Sequence, residues 1–118
     1  MTSRDAREHL FDIAQACELL ERFTTGTTLA GYQADPMRRS AVERQFEIVG
    51  EALRRAIDLD PSLEGRISDA ARIVALRNRL IHGYASVSDK VVWGIVETNL
   101  PTLRAEVQAL LKEASPDG

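Results

Sequence analysis

Leu76-Arg77-Asn78-Arg79-Leu80-Ile81-His82-Gly83-Tyr84 decides the reading of this chain. Ser68 has the chemistry of an N-cap, Asp69 adds negative charge to a first turn, and Gly83 is a natural C-terminal breaker, so the spacing predicts a helix of about four turns between them. At about 100° per residue, Ile73, Val74, Leu76, Leu80 and Ile81 fall on one apolar stripe. Arg77 falls inside that stripe. A guanidinium keeps its proton and is costly to bury alone, so Arg77 must meet a carboxylate, backbone carbonyls or a water-filled cleft. His82 follows five residues later, which on a regular helix points the two side chains about 140° apart. One helix does not readily aim both at one atom. They converge if the helix loosens at Gly83, or if two copies of the chain pack so that both motifs line one groove.

Outward from the motif, the chain reads as helical throughout. Of 118 residues, 44% are hydrophobic and only 5% aromatic, Val and Ile are not arranged in alternating runs, and Ala, Leu, Glu and Arg dominate. The expectation is an all-α protein, an antiparallel bundle of four to five helices forming a single domain over residues 1–118. A chain of this length buries roughly two-thirds of its unfolded surface around one core. The first helix is expected from about Ser3 to Phe23, with Leu10, Ile13, Ala14, Cys17 and Leu20 facing inward and His9 on the solvated side. Residues 24–34, rich in Thr and Gly, read as a connecting loop. Asp35-Pro36 then opens a second helix whose seam is Val42, Phe46, Val49, Leu53 and Ala56. Its other side carries Arg38, Arg39, Glu43, Arg44, Glu47, Glu51, Arg54 and Arg55, a surface of mixed sign. Glu43 or Glu47, turned inward, is the candidate partner for Arg77. Asp60-Pro61-Ser62-Leu63-Glu64-Gly65 links this helix to the motif helix. Ser88-Asp89 opens the last helix, whose stripe is Val92, Ile95, Val96, Asn99, Leu103, Val107 and Leu110, with Trp93 beside it. Pro101 should kink or split it, and residues 115–118 read as a frayed tail.

A net charge of −3 gives no global positive field, so contact with nucleic acid would have to rest on local arginines. Two histidines and one cysteine at no ligand spacing, with no HExxH and no glycine-rich phosphate loop, lead to the expectation of no metal and no cofactor. Cys17 reads as a core thiol. With no apolar signal segment and no run of membrane-spanning length, a soluble protein of a reducing cytoplasm, not bound to membrane, is expected. Arg77, Asn78, His82 and Tyr84 do fit metal-independent cleavage of RNA. That reaction needs a base for the 2′-hydroxyl proton, an acid for the departing 5′-oxygen, and a cation for charge growing on phosphorus. Equally, a structural arginine and a histidine capping the helix end would satisfy the same spacing.

The motif resembles the signature of the HEPN ribonucleases, specifically the HepT-like toxins: Arg77, four residues, His82, one residue, Tyr84, with polar Asn78 after the arginine. Ile48-Val49-Gly50-Glu51-Ala52 resembles that family's second-helix signature, and Val91-Val92-Trp93-Gly94-Ile95-Val96 with Leu100-Pro101 its last helix. The resemblance spans nearly the whole chain. It implies a helical homodimer with the two motifs facing across a cleft, and a toxin of a type VII toxin-antitoxin pair that cuts RNA without metal. It further implies a neighbouring minimal nucleotidyltransferase antitoxin that adds AMP to the motif tyrosine. Carried over, Arg77 and His82 are catalytic, Asn78 is supporting and Tyr84 is the modified residue. Gly83 before Tyr84 departs from the pattern. The alternative is a HEPN bundle without nuclease activity that dimerises and serves as partner of a nucleotidyltransferase.

Overall fold

The computed structural model describes residues 4–83 and 87–113; among these the chain forms six α-helices and one short 3-10 turn, and no strand. The helices are α1 (Arg4–Thr24), α2 (Leu29–Ala34), α3 (Pro36–Leu59), α4 (Ala70–His82), α5 (Asp89–Thr98) and α6 (Leu100–Glu113), with the 3-10 turn at Pro61–Gly65 between α3 and α4. The all-α bundle expected from composition is what forms. One helix more than expected is present, because residues 24–34 are not a plain loop. The hydroxyl of Thr28 accepts a hydrogen bond from the Gly31 amide at 3.1 Å and starts α2. That short helix exists to deliver Tyr32, which is fully buried and stacks at a tilt on Trp93 of α5 with ring centroids 5.3 Å apart.

Helix α3 is the central element, and α1 and α4 both pack on it far more than on each other. Its seam is as read: Val42, Phe46, Val49, Leu53 and Ala56 are all fully buried. Removing each such large side chain from water contributes about 1.5–3 kcal/mol, which is where most of the bundle's stability comes from. The start of α3 is secured by Asp35, whose carboxylate accepts from the Arg38 amide at 3.0 Å, with proline in the first turn where no backbone donor is needed. From α1, Leu10, Ile13, Cys17 and Leu20 close the core from one side. Burial pushes the Cys17 thiol up to about 12, so it is an inert packing group.

The last helix splits, as Pro101 demands. The break falls at Asn99, and Pro101 takes the second position of α6, where its missing N–H is not called upon. Val92, Ile95, Val96, Leu103, Val107 and Leu110 are all buried along the two segments. Asn99 is buried too, although polar, and the reason lies on another element. Its side-chain amide donates to Asp69 at 2.6 Å, at the start of α4.

That contact corrects the expected beginning of the motif helix. Ser68 is not its N-cap: α4 begins at Ala70, and Asp69 occupies the cap in the left-handed region (φ 61°) with no side-chain hydrogen bond to the helix. The Ser68 hydroxyl and amide instead donate to the Glu106 carboxylate of α6, at 2.8 and 3.0 Å. Tertiary partners therefore fix where α4 starts and how it is aimed. At its other end Gly83 adopts φ 63° and its amide donates to the Arg79 carbonyl, ending the helix as the sequence implied. No helix among the described residues is long and apolar enough to cross a membrane.

Candidate active site

Arg77 reaches its position because Gly50 lets two helices meet. A β-carbon built on Gly50 would lie 2.2 Å from Cβ and 2.8 Å from Cγ of Arg77, so only a glycine allows the stem of that arginine to cross α3. The stem fills the notch, and the guanidinium emerges beside the next residue of α3, Glu51. One terminal nitrogen lies 2.6 Å from Glu51 Oε2, a close charge pair that lacks the alignment of a good hydrogen bond. The other donates to the Asn78 side-chain oxygen at 2.9 Å. The carboxylate that meets Arg77 is thus Glu51. Glu43 and Glu47, the expected candidates, are not its partners: Glu47 pairs with Arg44 at 3.5 Å, and Glu43 has its pKa raised by burial and then by the nearby Asp89.

Glu51 carries more than one cation. Arg55 donates to Oε1 at 2.7 Å and Arg54 to the same oxygen at 2.9 Å, so three guanidinium groups converge on one carboxylate. The hydrogen bond from Arg55 first, then that from Arg54, hold the Glu51 carboxyl down at about 2 against the opposing effect of burial, with the charge of Arg77 a smaller contribution in the same direction. It is a permanent anion. Arg77 retains a side-chain exposure of 21%, so the tethered guanidinium still faces solvent.

Solvent meets it in an open groove of about 380 Å³ that runs over α3. Helix α3 forms the floor with Arg44, Glu47, Ile48, Glu51 and Arg55; α4 supplies Arg77 and Ile81; and α1 supplies His9 and Asp12 from the opposite wall. His9 was expected on the solvated side of α1, and the half-buried wall of this groove is where it lies. Ile81, expected on the buried stripe of α4, is 44% exposed at the groove. Charge balance is mixed, with three arginines against three carboxylates on the lining.

The motif residues are divided by the helix itself. Arg77 and Asn78 are brought together and Arg77 lines the groove, while His82, exposed in the last turn of α4, is not on the groove's lining. The separation expected from helical geometry therefore holds within one chain. Tyr84, the residue singled out for modification, lies outside the described residues. Two residues do not stand out in the sequence: Glu51, which reads as part of the mixed surface of α3, and Gly50, which reads only as part of a motif. A signal was present, since a glycine in mid-helix next to a glutamate marks a close helix crossing with a charge beside it. Among the described residues no group of three His, Cys, Asp or Glu side chains is placed to hold a metal ion.

Comparison with known proteins places the chain in a family. The model of a family described as "Ribonuclease HepT-like" matches residues 13–110. A probable ribonuclease HepT of Thermococcus cleftensis is 32% identical over 113 residues, covering 92% of this chain and 98% of the relative. A putative RNase of Methanocaldococcus jannaschii is 32% identical over 108 residues, at 92% and 98% coverage, and one of Caldanaerobacter subterraneus is 28% identical over 109 residues, at 91% and 95%. No solved structure matches the chain at a significant level. The matched region contains α3, α4 and the whole groove floor, and the chain belongs to the HepT-like ribonuclease family.

Proposed function

We propose that the protein is a metal-independent RNA endonuclease whose working site is completed by two copies of the chain, Arg77 coming from one and His82 from the other. The observation that carries this reading is the split motif: Arg77 faces an open groove while His82 of the same chain is not on its lining. A two-fold partner laid along α4 would bring its own His82 to that groove, and the half-exposed Ile81 beside Arg77 supports such a contact. Within the site, Arg77 neutralises charge growing on the phosphoryl oxygens, Asn78 and Glu51 hold its guanidinium in place, and His82 moves a proton. Arginine supplies the fixed positive charge that a metal ion provides in other nucleases, so cleavage should persist in EDTA and leave a 2′,3′-cyclic phosphate.

The test is complementation between two inactive variants. Arg77→Ala and His82→Ala, each purified and inert, are mixed, exchanged through mild denaturant and assayed on single-stranded RNA in EDTA. Mixed dimers then contain one site with both residues, and activity should return to a sizeable fraction of wild type. No recovery, with native mass showing that mixed dimers did form, would place both residues in one chain's site and sink the composite arrangement.

The biological reading that fits such an enzyme is a cytoplasmic toxin held silent by a nucleotidyltransferase that adds AMP to Tyr84. Tyr84 follows His82 by two residues, past the helix-ending Gly83, so a bulky anionic adduct there would stand near the motif and compete with RNA for arginine. Intact mass after co-expression with such a partner should rise by one or more AMP groups in wild type and stay unchanged in Tyr84→Phe, which should also keep cutting RNA. A Tyr84→Phe protein that still gains AMP refutes this target.

A further inference from the structure

We infer that His9 is a second proton-transfer residue of the ribonuclease site, working across the groove from Arg77. The inference rests on the ribonuclease reading above and adds to it a residue outside the family motif.

Three observations meet at His9. It is half-buried on the α1 wall of the groove whose α4 wall is Arg77, with α3 as the floor between them. It is the only histidine on that lining, because His82 is not part of it. The remaining charged groups of the groove are poorly suited to moving protons. Arg44, Arg55 and Arg77 keep theirs at any working pH. Glu51 is clamped as an anion by Arg55, Arg54 and Arg77, and Glu47 is paired with Arg44. Asp12, three residues after His9, is an exposed carboxylate on the same lining. A groove that binds a phosphodiester against Arg77 therefore presents it to one imidazole from its own chain.

The chemistry has a place for that group. The 2′-oxygen attacks phosphorus as its proton passes to one imidazole, forming the O2′–P bond. The P–O5′ bond breaks as a second imidazole gives its proton to O5′. The products are a 2′,3′-cyclic phosphate and a 5′-hydroxyl end, and protons balance with one taken and one given. No oxidant, metal or further reactant enters. One histidine per site could serve both transfers only by turning between them, whereas His9 on one wall and His82 of a second copy provide the two groups at once.

The test uses the full-length protein, a short single-stranded RNA and EDTA buffer across the pH range, with His9→Asn and His9→Lys beside wild type. Thermal melting first establishes that each variant is folded. Wild type should show a bell-shaped dependence of kcat/KM on pH. His9→Asn should lower kcat by about 10²–10⁴-fold, with KM little changed, and flatten one limb of the bell. Loss of the alkaline limb identifies His9 as the donor to O5′, and loss of the acid limb as the acceptor from the 2′-hydroxyl; either supports the inference. His9→Lys, which puts a positive charge in place of the imidazole, should not rescue the rate. An unchanged pH profile in His9→Asn, or rescue by His9→Lys, would reduce His9 to a structural or phosphate-binding group and overturn the assignment while leaving the ribonuclease intact. Wild type that cuts no RNA would overturn both readings together.

Discussion

Arg77→Ala is expected to lower kcat for RNA cleavage by roughly 10²–10³-fold, about 2.7–4 kcal/mol of transition-state stabilisation, while the protein stays folded. The two halves of that expectation have separate physical causes. The catalytic loss follows because the phosphoryl oxygens gain charge only as the reaction proceeds, and the guanidinium is already held in place by Glu51 and Asn78. Fold is retained because removing Arg77 does not strand a buried carboxylate. Glu51 keeps Arg55 at 2.7 Å and Arg54 at 2.9 Å, so the penalty of about 3–5 kcal/mol for breaking an isolated buried pair does not arise. Arg77→Lys should also be impaired. A lysine presents one ammonium and cannot reach Glu51, Asn78 and a phosphate from a planar fork. Steady-state kinetics on a short RNA, with denaturant unfolding of the same preparations, checks both halves. Cleavage within a few fold of wild type in Arg77→Ala would remove the arginine from the chemistry.

The second large effect is expected at a residue that touches no substrate. Gly50→Ala inserts a β-carbon 2.2 Å from the Arg77 Cβ, a distance that real contacts never reach, and the obstacle is the base of the arginine side chain and not its flexible tip. Helices α3 and α4 must part or slide. Overpacking of this kind costs about 1–3 kcal/mol, against which the better helix propensity of alanine returns about 1 kcal/mol. The net loss of stability is thus modest, yet the displacement falls directly on Arg77 and should lower kcat far more than the change in folding free energy would suggest. Denaturant midpoints with unchanged slope, measured beside kcat, separate the two. A Gly50→Ala protein with wild-type stability and wild-type rate would show that the crossing of α3 and α4 can relax without moving the arginine.

Sequence and structure coincide where local chemistry and the core point the same way. The seam from Val42 to Ala56, the Asp35-Pro36 start of α3 and the break near Pro101 are each set by periodicity, a capping side chain or a missing amide, and each stands in the structure where it was expected. They part where a distant element decides the outcome. Ser68 has the chemistry of a cap, but Glu106, 38 residues away, takes its hydroxyl and amide, and Asp69 is left in a left-handed conformation held by Asn99. Thr28 and Tyr32 form α2 within a stretch that lacks helical periodicity, because the driving force is a single ring buried against Trp93 and not an apolar face.

For the site, the sequence by itself determined that Arg77 sits on the inward side of a helix, that it needs a partner, and that His82 points away from it. Those statements follow from 3.6 residues per turn and from a guanidinium that cannot shed its charge. Only the tertiary structure decided that the partner is Glu51, which stands on α3 with three arginines around it, and that His9 lies on the wall facing Arg77. The reason is that both depend on how closely two helices cross. Periodicity states which way a residue faces on its own helix, but the missing β-carbon of Gly50 sets how near α4 comes, and hence which side chains of α1, α3 and α4 share one groove.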